Sequence, residues 1–350
     1  MKILVIVSDH GTGELGLGYL YAKAFSRLGH EVHLLPVDPS PVHLTLQGRA
    51  LARLKRAGPV GRYWSERLET ELVKATENYR PDLTIVFRCE RLSRDSVSAL
   101  RSYTRHAVWN VYNDSPLVIP GIAYPGFREA LGAYDAVLTA EPFAAPIFYQ
   151  LGARHVEWLP FAHDPEYHHP GTLQASDATT YGSPVAYLGT YGPLQTWWLT
   201  PLVPLGLKIW GNGWFRLSQA HLVRACWKPG LGQGPELWKP IAGAKVVFNM
   251  CRAEHMSGHS MKTFEIPSCG GLMVSNRTET QMQFFKDRKE AVFYDTREEA
   301  VDLIRFYIEH DSERERIREA GMRAVAHHTY ESRAKTLLEY LSVDKMPSFF

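Results

Sequence analysis

The sequence predicts an α/β protein in two halves, each a parallel sheet wrapped by helices in the Rossmann manner, and three observations carry that prediction. Short apolar runs rich in β-branched residues recur along the chain, among them Ile3–Val7, Leu83–Phe87 and Ala244–Met250, and stretches of helical length and amphipathic pattern separate them. A glycine-rich loop follows the first of these runs. In the second half, the stretch Ser260-Met-Lys-Thr-Phe-Glu-Ile-Pro-Ser-Cys-Gly-Gly-Leu-Met-Val-Ser275 joins a helix start to another apolar run, the layout of a nucleotide site at the carboxyl edge of a parallel sheet. A chain of 350 residues is long enough for two such cores.

The strand Ile3–Val7 runs into Ser8-Asp-His-Gly-Thr-Gly-Glu-Leu-Gly-Leu-Gly18, and a helix from about Leu17 to Leu28 stops at Gly29 before the strand Glu31–Val37. Gly11, Gly13 and Gly16 match G-x-G-x-x-G, and Asp38 stands where a dinucleotide fold places its ribose-binding acid. A tight turn that needs glycine explains the same residues equally well. Helices over Leu46–Arg56 and Tyr63–Tyr79 precede the strand Leu83–Phe87, and a helix over Ser93–Tyr103 precedes the strand Ala107–Val111. That strand ends at Tyr112-Asn-Asp-Ser-Pro116, which makes Asp114 either a site residue beyond a strand's carboxyl end or ordinary turn chemistry. A strand over Tyr134–Thr139 and a helix to Leu151 follow.

The segment Pro170–Pro184 is polar, small and without periodicity, and reads as a linker. Beyond it come the strands Val185–Leu188, leading into Gly189-Thr-Tyr-Gly192, and Leu207–Trp210, leading into Gly211-Asn-Gly-Trp214. After the strand Ala244–Met250, Ser260 is positioned to cap a helix beginning near Met261, so that main-chain N–H groups of Gly258, His259 and Ser260, with Lys262, face an anion. Lys262 also reads as a solvated helix cation, and Phe264 and Cys269 as core. Pro267 should kink this helix, and Gly270-Gly271 end it before the strand Leu272–Val274. The chain closes with the strand Ala291–Tyr294 and helices over Glu298–His310, Ser312–Ala326 and Tyr330–Leu341.

Bulk properties exclude several classes. Lys and Arg total 39 against 37 Asp and Glu, a formal charge of +2, so no global basic field points to nucleic acid. Cys89, Cys226, Cys251 and Cys269 contain no C-x-x-C and read as reduced, cytoplasmic thiols. The apolar run at the N-terminus is too short for a signal sequence, and no segment approaches a membrane span, so no stable membrane insertion is expected. Glu254-His255-x-x-x-His259 places two histidines four apart, but no third ligand has metal-binding spacing. His168-His169 and His327-His328 read as surface or packing residues. There is no Asp-x-Asp in the chain.

The phrase Met261-Lys-Thr-Phe-Glu-Ile-Pro-Ser-Cys-Gly-Gly271, with Phe284-Phe285, Glu290–Tyr294 and His328–Arg333, resembles the spore-maturation (CgeB-like) glycosyltransferases of the GT-B group. The run from Tyr134 through Leu159-Pro-Phe-Ala-His-Asp-Pro-Glu-Tyr-His168 resembles them as well. The resemblance implies GT-B architecture, two Rossmann-like domains facing each other across a cleft. It divides the chain into an acceptor domain at 1–168, a linker at 169–184, a nucleotide-sugar domain at 185–326 and a last helix at 327–350 that crosses back. It implies transfer of a sugar from a UDP-, GDP- or dTDP-sugar, with that donor as substrate and neither metal nor cofactor. The donor would meet Gly189, Thr190, Gly211, Asn212, Gly213, Trp214, Arg252, Gly258, His259, Ser260, Lys262 and Thr263. Glu265 aligns with the second Glu of the family's Glu-x7-Glu, where it would accept from ribose hydroxyls; the first position is Ser257 here. Relatives carry an Arg soon after the first Gly-Thr loop, which Pro193-Leu-Gln-Thr-Trp197 lacks, so its role with the donor phosphates falls to Lys262 or Arg252. His10 would be the catalytic base, with Asp9 and Asp114 as the other candidates, and Gly11, Gly13 and Gly16 would form the acceptor-side loop. The acceptor is open among a glycan, a protein, a small metabolite and a modified nucleic acid. Two alternatives stand beside this reading: an NAD- or FAD-dependent oxidoreductase using Gly11, Gly13, Gly16 and Asp38, and a non-catalytic binding protein of the same fold.

Overall fold

The computed structural model describes residues 1–8, 15–37, 59–89, 92–110, 127–230, 234–251 and 257–342. Contacts divide the chain into two units, Met1–Pro160 with the chain from Arg333 onward, and Phe161–Ser332.

The first unit is built on six parallel strands, β1 (Lys2–Ser8), β2 (Glu31–Val37), β3 (Leu83–Phe87), β4 (His106–Asn110), β5 (Ala136–Thr139) and β6 (Val156–Trp158). They form one sheet in the order β2-β1-β3-β4-β5-β6. Strands β3 and β5 are buried along their whole length, which is why they read as unbroken apolar runs. Leu4, Ile6, Val86, Val97 and Phe148 share the core on this sheet. The half-exposed, three-residue β6 has no counterpart in the sequence-based prediction, because a run that short shows no periodicity. Gly16 caps the helix Leu17–Arg27 in an extended conformation, with φ −64°. The close helix-to-strand approach is made at Gly18, where a Cβ would lie 2.0 Å from Val7 Cγ1. Of the other residues assigned to this unit's loops, Asp9, His10, Gly11, Gly13, Asp38 and Asp114 lie outside the described residues, as does the helix expected over Leu46–Arg56.

The second unit carries five parallel strands, β7 (Ser183–Leu188), β8 (Leu207–Trp210), β9 (Ala244–Asn249), β10 (Met273–Asn276) and β11 (Val292–Tyr294). Their order in the sheet is β11-β10-β9-β7-β8. From β7 the chain moves outward to β8 and then returns to the other side of β7 as β9, so the order reverses between β7 and β9. Such a reversal leaves a crevice beyond the carboxyl ends of the strands, where open α/β sheets bind ligands.

The division between units falls ahead of the segment read as a linker. Within that segment, Ala175–Tyr181 is a helix with Tyr181 buried, and Gly171 lies so close to Trp238 that a Cβ would come 2.3 Å from its ring. Its small polar residues therefore pack in the second unit. At the other end, the helix Tyr330–Ser342 starts in the second unit and continues with the residues grouped in the first.

Candidate functional site in the second unit

The loops after β7 and β8 lock onto each other. Tyr191 N–H donates to Asn212 O at 2.8 Å, and Trp214 Nε1–H donates to Gly189 O at 2.9 Å. Gly211 has φ +136°, and a Cβ there would stand 2.2 Å from Gly189 O, so only glycine fits. Thr190 and Asn212 are exposed at this edge, and Gly189 and Gly213 are half-buried. Trp214 corrects an expectation: its ring is 0% exposed, packed edge-on against Tyr187 and Tyr191, so it shapes the loop from behind. A Gly-x-Gly-Trp string looks the same whether the Trp faces a ligand or the core.

Beyond β9, Arg252, Glu254 and His255 lie outside the described residues, and the description resumes at Ser257, whose carbonyl accepts from Thr280 N–H at 3.1 Å. Gly258 and His259 are buried. His259 Nε2 accepts from Phe161 N–H at 3.0 Å, and its ring sits edge-on among Phe161, Phe264 and Phe284. The imidazole is a packing group. Ser260 does not cap the helix with its side chain. Met261 is already helical at the cap position, the helix runs over Lys262–Ser268, and Ser260 Oγ is buried without a partner. The side-chain bond comes from Thr263, whose Oγ1 accepts from Ser260 N–H at 3.4 Å, the return half of a capping box. A helix of seven residues has a modest dipole, so charge at this site rests on side chains.

Those side chains are Glu265, Lys262 and His168. Glu265 is 3% exposed, Lys262 Nζ donates to its Oε2, and His168 Nε2 stands 3.7 Å from its Oε1. Burial pushes the Glu265 carboxyl up, the Lys262 ammonium is the largest influence against it, and the net direction is down, toward a carboxylate. Lys262 therefore serves as a counter-ion to a buried acid, not as the solvated cation that its place on a helix suggests. His168, a surface or packing residue by its sequence, meets a carboxylate 97 residues away, which no local pattern shows. Its one sequence signal is its place in the Leu-Pro-Phe-Ala-His-Asp-Pro stretch. Behind the helix start, Gln281 Oε1 accepts from Thr263 Oγ1 at 3.3 Å and Ser275 Oγ at 3.1 Å, and Asn249 Nδ2 donates to Ser275 Oγ at 3.0 Å. This buried chain ties β9 and β10 to the helix that carries Glu265. Burial pushes the Cys269 thiol up to about 12, which makes it an inert core residue. Among the described residues, no group of three His, Cys, Asp or Glu could hold a metal.

Residues 195–339 match a protein-family model described as glycosyl transferase-like. No curated protein matches the chain. Solved structures match over nearly its whole length. A sucrose-phosphate synthase from Thermosynechococcus elongatus is 12% identical with a TM-score of 0.68, covering 97% of this chain and 98% of its own. Anabaena Alr3699/HepE, solved with UDP-glucose, is 14% identical with a TM-score of 0.65, covering 98% and 99%. A structure described as trehalose-6-phosphate from E. coli bound with UDP-2-fluoro glucose is 9% identical with a TM-score of 0.66, covering 99% and 100%. The fold is GT-B. Of the residues described above, Gly211 through Trp214 and Gly258 through Glu265 fall inside the family match, whereas Gly189 and His168 precede it. No helix among the described residues is long and apolar enough to cross a membrane.

Proposed function

We propose that this chain is a GT-B glycosyltransferase that transfers a sugar from a nucleotide-activated donor, a UDP-sugar, and that the second unit binds the nucleotide. The observation that carries the reading is the buried Glu265 carboxyl paired to Lys262 in the helix after β9, inside the glycosyl transferase-like match. Two structures of the same fold were solved with UDP-glucose or UDP-2-fluoro glucose, which supports a UDP-linked donor. The motifs at Met261–Gly271 and Leu159–His168 support the finer assignment to the CgeB-like enzymes.

In this reading Glu265 accepts hydrogen bonds from the ribose hydroxyls. The transferred sugar's C1 breaks its bond to the diphosphate oxygen and forms one to an acceptor oxygen, whose proton leaves to a base. The departing diphosphate is stabilised by Lys262, by Arg252 and by main-chain N–H groups at Gly258 and His259. With no Asp-x-Asp in the chain, these groups serve in place of a metal. The first unit takes the acceptor, with His10 or Asp114 as the base.

Titration calorimetry with UDP tests the reading. Glu265→Gln is expected to weaken UDP by roughly ten- to a hundredfold, the loss expected for a hydrogen bond to a charged acceptor. An E265Q protein that binds UDP as tightly as the wild type would sink it. Ser257, standing where relatives carry Glu, favours one second reading, a binding protein without turnover. A folded chain that binds UDP-sugars and hydrolyses none of a donor panel would establish that reading instead.

A further inference from the structure

Glu265 has a second neighbour that the reaction above does not use. His168 is 2% exposed, and the turn that begins at Asp164 holds it twice. Its main-chain N–H donates to Asp164 O at 2.8 Å, and its Nδ1 accepts from Asp164 N–H at 3.0 Å. The turn is itself braced, because Asp164 Oδ1 accepts from Glu166 N–H at 2.9 Å. A ring nitrogen that accepts a main-chain N–H carries no proton, so the neutral imidazole bears its hydrogen on Nε2. Burial, opposed by Glu265, holds the ring below the usual histidine range and so keeps it neutral.

That Nε2 is buried with no hydrogen-bond partner, and it faces Glu265 Oε1 across 3.7 Å, while Lys262 occupies Oε2. Folded proteins rarely leave a buried donor unpaired beside a strong acceptor. A gap of this size closes with a small rotation of the carboxylate. Lys262 is more exposed than the carboxylate it pairs with, and it is the group that an arriving diphosphate would draw away.

We propose that His168 is a positioning residue for Glu265: its Nε2–H takes Oε1 when the donor binds, so that the carboxylate presents its remaining lone pairs to the vicinal ribose hydroxyls in one orientation. The inference rests on the reading of Glu265 as the ribose-binding carboxylate.

The experiment compares UDP with 2′,3′-dideoxy-UDP by titration calorimetry on the full chain, for wild type, Glu265→Gln, His168→Asn and His168→Gln. Asparagine keeps an acceptor for Asp164 N–H and removes the donor toward Glu265, whereas glutamine returns an N–H near the Nε2 position. Wild type is expected to prefer UDP by roughly ten- to a hundredfold. The H168N protein should lose most of that preference with dideoxy binding unchanged, and the H168Q protein should regain it. Equal weakening of both nucleotides in H168N, or a preference that survives there, overturns the role of His168. If Glu265→Gln abolishes the preference and His168→Asn does not, only this inference falls. If wild type shows no preference, the ribose reading of Glu265 falls with it. Should the H168N protein not fold, nitrogen-15 spectra of wild-type histidine decide: the His168 Nε2–H resonance should shift downfield with UDP and stay in place with the dideoxy nucleotide, and an unmoved resonance with UDP overturns the proposal.

Discussion

His163 lies five residues before the histidine that faces Glu265, and it is 5% exposed. Burial first, and then the neighbouring His168, holds its pKa down to about 4 from the ordinary 6.5. Between those values the unfolded chain takes up a proton that the folded chain refuses. Its neutral state is therefore accommodated in full above about pH 6.5, and stability falls as the pH drops toward 4, by about 1.4 kcal/mol per unit and roughly 3 kcal/mol in all. His168 shifts in the same direction. The urea midpoint should decline between pH 7 and pH 5, and His163→Phe should flatten that decline; a midpoint indifferent to pH would contradict the burial of a neutral ring. None of this is legible locally, because an isolated His in a Pro-Phe-Ala-His-Asp-Pro string has no periodic face. Glu265, by contrast, stands out in the sequence as a candidate, because a carboxylate one turn into a helix beyond a β-branched strand is a pattern that sequence can carry.

The helix Lys262–Ser268 is short, contains Pro267 and lacks a Ser260 side-chain cap, so its own propensity does not hold it. It is held by Gln281, which is 0% exposed and whose amide is fully used. Oε1 accepts from Thr263 and Ser275, and Nε2 donates to Asn276 O at 2.8 Å and Thr278 Oγ1 at 3.2 Å. Gln281→Leu fills the space and satisfies none of these groups. The expected loss is about 2–4 kcal/mol from several polar atoms left buried and unpaired, with UDP binding weakened because Thr263 and the helix start shift. Thermal unfolding with and without UDP measures both; a Q281L protein of native stability would show that the network is not what fixes the helix. The run of residues at 279–285 prompts no structural expectation from sequence. Glutamine is neutral as a sequence signal, and its role appears only when β9 and β10 bring Asn249 and Ser275 beneath it.

At the scale of the molecule, the residues from Arg333 onward group with the first unit although they follow the second in sequence, and Ala334, Leu337 and Leu341 are buried. A chain ending at Ser332 loses those apolar contacts. Calorimetry should show the transition of the first unit lowered or lost, at about 2–5 kcal/mol per large apolar side chain removed, with UDP still protecting the second. Equal loss in both transitions would argue against the grouping. Sequence by itself determined the α/β class, nearly every long strand, the long helices Leu17–Arg27, Arg297–Glu309, Asp311–Val325 and Tyr330–Ser342, and the stretch that holds Glu265. Each of these is written in local periodicity or in glycine and proline, and burial on both faces of a parallel sheet turns strands into unbroken apolar runs. Tertiary structure alone decided the strand order that puts the reversal between β7 and β9, the burial of Trp214 behind its loop, the burial of Glu265 and the approach of His168 to the same carboxylate. Those contacts depend on how strands and helices stack, most of them between residues distant in the chain, and no local pattern encodes that stacking.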